Sequence, residues 1–190
     1  MATIATKSKN DTNQQPANYW RVFTLRSPKE LDESDDYIWR DENFEEISFT
    51  PQGKLTCADY LIEENLTGKY EGQLLLVLSG DRQQDSLMLV MPLRSPSAQH
   101  IVEPLCFLPD NTLLGSVISL HHYLYQTESQ SYPEIRFRVK LNGQFFLNAP
   151  LSSSARWQDG LCYTRLEQLQ KKLDGLNSAL SVVRSSDLDF

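Results

Sequence analysis

The most distinctive side chains of this chain lie in residues 29–46, KELDESDDYIWRDENFEE, which we term the acidic segment. It holds nine carboxylates against two basic groups, and this excess of seven equals the formal net charge of the whole chain, -7. Carboxylates steer a basic partner toward them, and aromatic side chains set among them supply contact area at a small entropic cost. Carboxylates also repel the phosphates of nucleic acid. The acidic segment therefore predicts docking to a protein partner with a basic surface, and argues against a nucleic-acid partner.

The residues assigned to partner binding are carboxylates and aromatic groups in the middle of the acidic segment. They are Asp32, Glu33, Asp35, Asp36, Tyr37, Trp39, Asp41 and Glu42. The alternative interpretation is a solvated loop that keeps the protein in solution, because runs of like charge are usually solvated. An ordinary solvated loop has no need of the aromatic and aliphatic run at 37–39, which favours the docking interpretation.

Histidine and cysteine side chains offer little metal or redox chemistry. His121 and His122 are adjacent, so on a strand they point to opposite faces and cannot chelate together. Cys57, Cys106 and Cys162 are odd in number and contain no CxxC pair, which argues against a disulfide framework and a thiolate metal site. We expect no metal or cofactor, a reducing cytoplasmic location, and cysteines that act as small buried hydrophobes at 57 and 106.

A row of basic residues follows the acidic segment much later in the chain. Arg136, Arg138 and Lys140 alternate with apolar residues, so they share one face of a predicted strand while Phe137 lies on the other face. The mixture of bases and rings that a nucleic-acid stacking surface requires is therefore not expected. We interpret the row as a solvated face, which could also pair with the acidic segment within the molecule.

Length and composition predict one domain. At 190 residues with 40% hydrophobic content, the chain can bury one sizeable core, which we place in residues 18–190 after a disordered arm at 1–17. No run of about 18 apolar residues is present, so no membrane partner is expected.

Alternating patterns and turn signals predict successive antiparallel strands from Tyr19 to about Leu147. The run at 74–78, LLLVL, is typical of a central strand covered on both faces. TPQGK predicts a turn, because Pro51 pre-sets the backbone and Gly53 tolerates a positive φ, with the next strand beginning at Leu55. Asn142 and Gly143 predict a two-residue hairpin turn of type I′.

Two segments are harder to assign. HIVEPLCFL at 100–108 is predicted to be a strand in which Pro104 marks an edge or bulge, since proline cannot donate to a ladder. Residues 111–126 fit either a helix or a strand, and their β-branched and aromatic residues favour the strand.

The C-terminal region changes to helical periodicity over about residues 162–183. Its apolar positions follow the spacing of a heptad seam: Leu166, Leu169, Leu173, Leu176, Leu180 and Val183. We expect this amphipathic helix to pack on the sheet, and the alternative is a homo-oligomer or partner contact through the seam.

The fold class predicted from these elements is mainly β, an antiparallel sheet that curls toward a barrel of about eight strands, with a C-terminal amphipathic helix. No set of residues with catalytic spacing is found. The predicted function is a non-enzymatic protein-interaction or assembly module that docks through the acidic segment, with the C-terminal helix as a further candidate contact.

The alternative function is a barrel similar in architecture to lipocalin-like proteins, binding or delivering a small apolar or planar ligand. Tyr60, Leu74, Leu76 and Phe145 are candidates for lining such a barrel, which at about eight strands can hold one small ligand. The lipocalin G-x-W of the first strand is missing, since the chain reads NYWRV there. No family is assigned.

Overall fold

The structure is a computed structural model that describes residues 21–31, 36–64, 70–80, 86–113, 115–145 and 150–186. For residues 63, 64, 70, 111, 145 and 176–186 it describes the backbone alone. The described strands are β1 (Arg21–Leu25), β2 (Trp39–Arg40), β3 (Glu46–Ile47), β4 (Gln52–Glu64), β5 (Tyr70–Ser79), β6 (Leu87–Pro92), β7 (Ile118–Tyr125), β8 (Glu134–Leu141) and β9 (Gln144–Phe145). The described helices are α1 (Pro96–Phe107), α2 (Asp110–Leu113), α3 (Ser154–Arg156) and α4 (Cys162–Ser186), and a π-helical turn at Trp157–Leu161 joins α3 to α4.

The strands form one sheet in the order β3-β2-β1-β6-β5-β4-β7-β8-β9, which curls into a half-barrel. Neighbouring strands pair antiparallel except β1 and β6, which are parallel. The predicted mainly β fold, with a curled sheet and a C-terminal helix, is confirmed. The parallel pair was not predicted, because a pattern of alternating residues does not specify strand direction.

Several elements follow directly from local sequence. β5 is the fifth strand of nine in this sheet, as its apolar run predicted. Asn142 and Gly143 have φ values of 48° and 80°, which matches the predicted type I′ turn between β8 and β9. Residues 118–125 form a strand, as favoured, and the short helix α2 at Asp110–Leu113 precedes it.

The segment HIVEPLCFL is not a strand, and this prediction was wrong. Ser95 caps α1 by accepting a hydrogen bond from the Ala98 N–H at 3.2 Å, and Pro96 occupies the first turn, where its missing N–H costs nothing. Buried side chains then recur at helical spacing, at Ala98, Ile101, Val102, Leu105 and Cys106. Burial of this face outweighs the cost of Pro104 inside the helix.

Helix α1 covers one edge of the sheet. The Ser97 hydroxyl donates to the Ile135 carbonyl of β8. This contact occupies a backbone group in the part of β8 beyond its pairing with β9, which is at Lys140 and Leu141. Helix α1 therefore covers the part of β8 that β9 does not reach.

Two other predictions about β4 were wrong. The predicted turn around Gly53 is absent, because β4 already begins at Gln52 and Gly53 lies inside it without a positive φ. Glycine is needed there because a Cβ would lie 2.8 Å from the Ser79 carbonyl oxygen. Cys57 is exposed, unlike buried Cys106, because the pairing with β5 shifts register between Leu55 and Cys57.

Helix α4 packs against the half-barrel as predicted. Leu166, Leu169 and Leu173 are buried in the same core as the sheet, while the side chains of Leu176, Leu180 and Val183 lie outside the described residues. Lys172 also donates to the Leu108 carbonyl at 2.7 Å, which ties α4 to the end of α1. The described part of the seam is thus an intramolecular contact.

We expect Leu173→Asp to lower the free energy of unfolding by at least about 3 kcal/mol, because it buries an unpaired carboxylate and removes an apolar contact. Urea unfolding monitored by circular dichroism measures the change. Thr164→Asp, at an exposed position on the same helix, should change stability by less than about 0.5 kcal/mol. Equal stability of Leu173→Asp and the wild type would show that this position does not contribute to the core.

Candidate protein-docking surface

Arg26 holds the base of the acidic segment. Its buried guanidinium donates to the backbone carbonyls of Glu30, at 2.8 Å, and Tyr37, at 2.7 Å. The same group forms an ion pair with Glu46 at 3.1 Å. One side chain directly after β1 therefore ties together the two ends of the loop from Glu30 to Tyr37 and the edge strand β3.

The structure divides the predicted partner-binding residues into three groups. Asp32, Glu33 and Asp35 lie outside the described residues. Asp36, Tyr37 and Glu42 are exposed, and 53% of the Tyr37 surface is open to solvent. Asp41 is half-buried and holds a turn, and Trp39 is buried.

Trp39 cannot serve as the exposed anchor that its sequence neighbours suggested, and this assignment is corrected. Its side chain has no exposed surface, and its ring centre lies 5.9 Å from the ring centres of both Phe49 and Phe137. Ile38 beside it is also fully buried. The buried middle residues therefore attach the acidic segment to the core. Burial of an aromatic side chain stabilises the fold more than an exposed position does.

The turn between β2 and β3 displays an aromatic ring that sequence reasoning placed in the segment but did not select. Phe44 is 81% exposed and its φ is 63°, in the left-handed region that bulky residues rarely adopt. The Asp41 carboxylate accepts hydrogen bonds from the backbone N–H groups of Asn43 and Glu45, both at 2.9 Å. The Asp41 carboxylate therefore fixes the backbone of the turn, and the Phe44 ring points away from the core.

Ion pairs within the molecule neutralise part of the acidic segment. Arg40 lies 2.8 Å from the Glu30 carboxylate and 3.4 Å from that of Glu46, which also pairs with Arg26. Glu42 and Glu45, on either side of Asn43 and Phe44, are exposed. Negative charge is thus concentrated around the displayed ring.

The basic row faces outward on β8, as predicted, but it is not the plain solvated face that the sequence suggested. Tyr125 and Tyr123 of β7 lie on the same face, where the guanidinium carbon of Arg136 is 3.6 Å from the Tyr125 ring centre and that of Arg138 is 4.8 Å from the Tyr123 ring centre. Phe137 is on the opposite face, as expected. The rings come from the neighbouring strand, and this arrangement depends on a strand register that the sequence does not specify.

The histidine and cysteine side chains show no sign of an activated site. His121 and His122 lie opposite Arg138 and Phe137 respectively, on opposite faces of β7 as predicted. Burial lowers the pKa of His122, an effect that the nearby Asp36 carboxylate opposes. Burial raises the pKa of the Cys106 thiol to about 11, so that it stays protonated at neutral pH.

Two clefts of about 380 and 330 Å³ open at the protein surface. The first lies between β4 and α4, beside Cys57 and Lys171, and the second lies between the end of β1, the start of α1 and the loop before β8. Leu74 and Leu76, which were candidates for lining a ligand-binding barrel, are buried in the packed core and line neither cleft. Tyr60 packs edge-on against Tyr163 at 5.3 Å, and the Phe145 side chain lies outside the described residues.

Comparison of the chain with protein families, with curated proteins and with solved structures found no match. Among the described residues, no group of three or more histidine, cysteine or acidic side chains is placed to hold a metal ion. Within the same residues, none of the helices combines the length and the apolar character needed to cross a membrane. The surface chemistry of the acidic segment is therefore the main guide to function.

We expect Trp39→Ala to lower the free energy of unfolding by about 3 to 5 kcal/mol, since it removes a fully buried aromatic side chain and leaves a cavity beside Phe137. Chemical denaturation of the purified variant measures this loss. Tyr37→Ala, two residues away and exposed, is the matched control and should change stability by less than about 1 kcal/mol. A Trp39→Ala protein as stable as the control would contradict the assignment of Trp39 to the core.

Proposed function

We propose that this protein is a non-enzymatic interaction module that docks a protein partner with a basic surface through the acidic segment. The observation that carries this proposal is the display of Phe44. An aromatic ring with 81% of its surface exposed stands on a turn whose backbone is held by Asp41, between exposed carboxylates.

The strained backbone conformation of Phe44 supports a role for this residue in binding, because it does not stabilise the fold. A non-glycine residue in a sparsely populated backbone region costs about 1 to 3 kcal/mol and persists only when its surroundings enforce it. Here the ring gains little burial in return, because it points into solvent. Glycine or asparagine would fit the same backbone with less strain, so folding alone does not explain a phenylalanine at this position.

The rigid turn between β2 and β3 favours binding because it holds the Phe44 ring in a fixed position. The Asp41 carboxylate fixes Asn43 and Glu45, and β2 beneath the turn is anchored by buried Trp39. A preorganised contact loses less conformational entropy on docking than a loose loop does. Tyr37, exposed at the other end of β2, offers a second aromatic contact.

The negative charges around the turn favour a partner with a basic surface. Glu42 and Glu45 flank the ring, and Asp36 is exposed beyond Tyr37. Such carboxylates increase the rate of encounter with a basic surface, while the aromatic contact slows dissociation. The partner surface that fits this arrangement has an apolar or aromatic centre and a basic rim.

We expect Phe44→Gly to raise the free energy of unfolding by about 1 kcal/mol, because glycine relieves the strained backbone, and at the same time to weaken partner binding. Denaturant unfolding measures the first effect. Affinity capture from lysate of the native cells, followed by mass spectrometry, measures partner binding. The comparison is between Phe44→Gly and the wild type in the recovery of those partners that the wild type binds in a salt-dependent manner. Higher stability together with weaker partner binding is the result expected if the exposed Phe44 ring serves binding and not folding.

The matched control is Ile62→Ala, which removes an exposed apolar side chain, 59% accessible, from β4 instead. It should leave partner recovery unchanged. If Phe44→Gly recovers the same salt-sensitive partners as the wild type and the control, the turn is not a docking contact and the proposal fails.

A further inference from the structure

A second surface of opposite charge lies on the outer face of β7 and β8. We term it the arginine–tyrosine face and define it by Tyr123, Tyr125, Arg136, Arg138 and Lys140. Strand register places Tyr123 opposite Arg136 and Tyr125 opposite Glu134, so rings and guanidinium groups lie diagonally across the strand pair. Each arginine therefore rests on a tyrosine ring of the neighbouring strand.

These stacks hold the charged groups in place before any partner arrives. Arg136 is held on its other side by Glu134, which it meets through two hydrogen bonds of 2.7 and 2.9 Å. A guanidinium stacked on a ring keeps its charge and N–H edges available for carboxylates. Arg138 is exposed, and 39% of the Tyr125 surface is accessible, so the face presents both charge and aromatic surface to solvent.

The arginine–tyrosine face and the acidic segment are complementary in chemistry. One has tyrosine rings among Arg136, Arg138 and Lys140, and the other has Phe44 among Glu42 and Glu45. Protein interfaces commonly have this composition, with an aromatic centre and charged groups of opposite sign at the rim. We infer that the basic partner of the acidic segment is the arginine–tyrosine face of a second copy of this chain, an inference that rests on the proposed function.

Ion pairs within one copy engage some of the charges of both surfaces. Glu30 and Glu46 of the acidic segment pair with Arg40 of β2, Glu46 also pairs with Arg26, which directly follows β1, and Arg136 pairs with Glu134 of its own strand. The docking contact joins two different surfaces. Two copies that exchange both contacts form a closed, isologous dimer, whereas copies that each make one contact extend head to tail through a heterologous contact.

The net charge of -7 on each copy does not prevent this contact. Repulsion between whole molecules is screened beyond about 8 Å at physiological ionic strength, whereas groups in direct contact are screened much less. Local attraction between the two surfaces then dominates, and we expect association to weaken as salt rises from about 0.15 M to about 0.5 M.

The test uses two charge-neutralised full-length variants. The segment variant carries Asp36→Asn, Glu42→Gln and Glu45→Gln, which spare Asp41 and the ion-paired carboxylates. The face variant carries Arg138→Gln and Lys140→Gln. Controls remove equal charge elsewhere at exposed positions, with Asp159→Asn, Glu167→Gln and Asp174→Asn for the first, and Lys54→Gln and Lys171→Gln for the second.

Sedimentation velocity over a range of concentrations measures association, and thermal unfolding confirms that each variant is folded. The wild type and both controls should associate, while each neutralised variant alone should associate at least about tenfold more weakly. A mixture of the two neutralised variants should form a complex with one copy of each, because the mixture retains one intact segment and one intact face.

Three results would overturn the inference. A wild type that stays monomeric at every concentration excludes a second copy as the partner, and leaves the proposed function to its own test with Phe44→Gly and the captured partner. Neutralised variants that associate as well as the wild type place the interface elsewhere. A mixture that forms no mixed complex, when the wild type associates, excludes the pairing of segment with face.

Discussion

Burial of Trp39 is the interaction on which the rest of the structure depends. In the order of the sheet, five strands separate β2 from β8, yet the Trp39 ring lies 5.9 Å from Phe137 of β8. This contact spans the interior of the curled sheet and holds β2 against the core. With β2 fixed, Arg26 can hold the loop before it and the edge strand after it. The turn that carries Phe44 directly follows β2, so it is attached to the core and is not a free loop.

Local patterns in the sequence were sufficient for much of the fold. Alternation along β8, the apolar run of β5 and the Asn142–Gly143 turn each carry their own physical reason and each is confirmed. Helix α1 was missed because Pro104 was interpreted as a strand edge, when Ser95 and Pro96 before it are helix-start signals.

The candidate site was only partly predictable. Composition located the acidic segment, but it could not tell which aromatic residue would be buried, since Tyr37 and Trp39 lie on the same side of an alternating pattern and differ completely in exposure. The strained backbone of Phe44 arises from the Asp41 turn, and the stacked tyrosines arise from cross-strand register. The first is a local turn whose backbone conformation composition does not specify, and the second depends on the register between two strands, which no spacing within one strand specifies.

The chain thus combines an acidic surface with a displayed phenylalanine and a basic surface with stacked tyrosines. Hydroxyl-radical footprinting of the wild type at low and high protein concentration tests most directly whether these two surfaces meet, because it reports the exposure of individual side chains. Docking predicts that oxidation of Phe44 and Tyr125 slows together as concentration rises, while Tyr132, 47% exposed and outside both surfaces, serves as the unchanged reference. Unchanged oxidation of Phe44 and Tyr125 in a sample that has associated would contradict it.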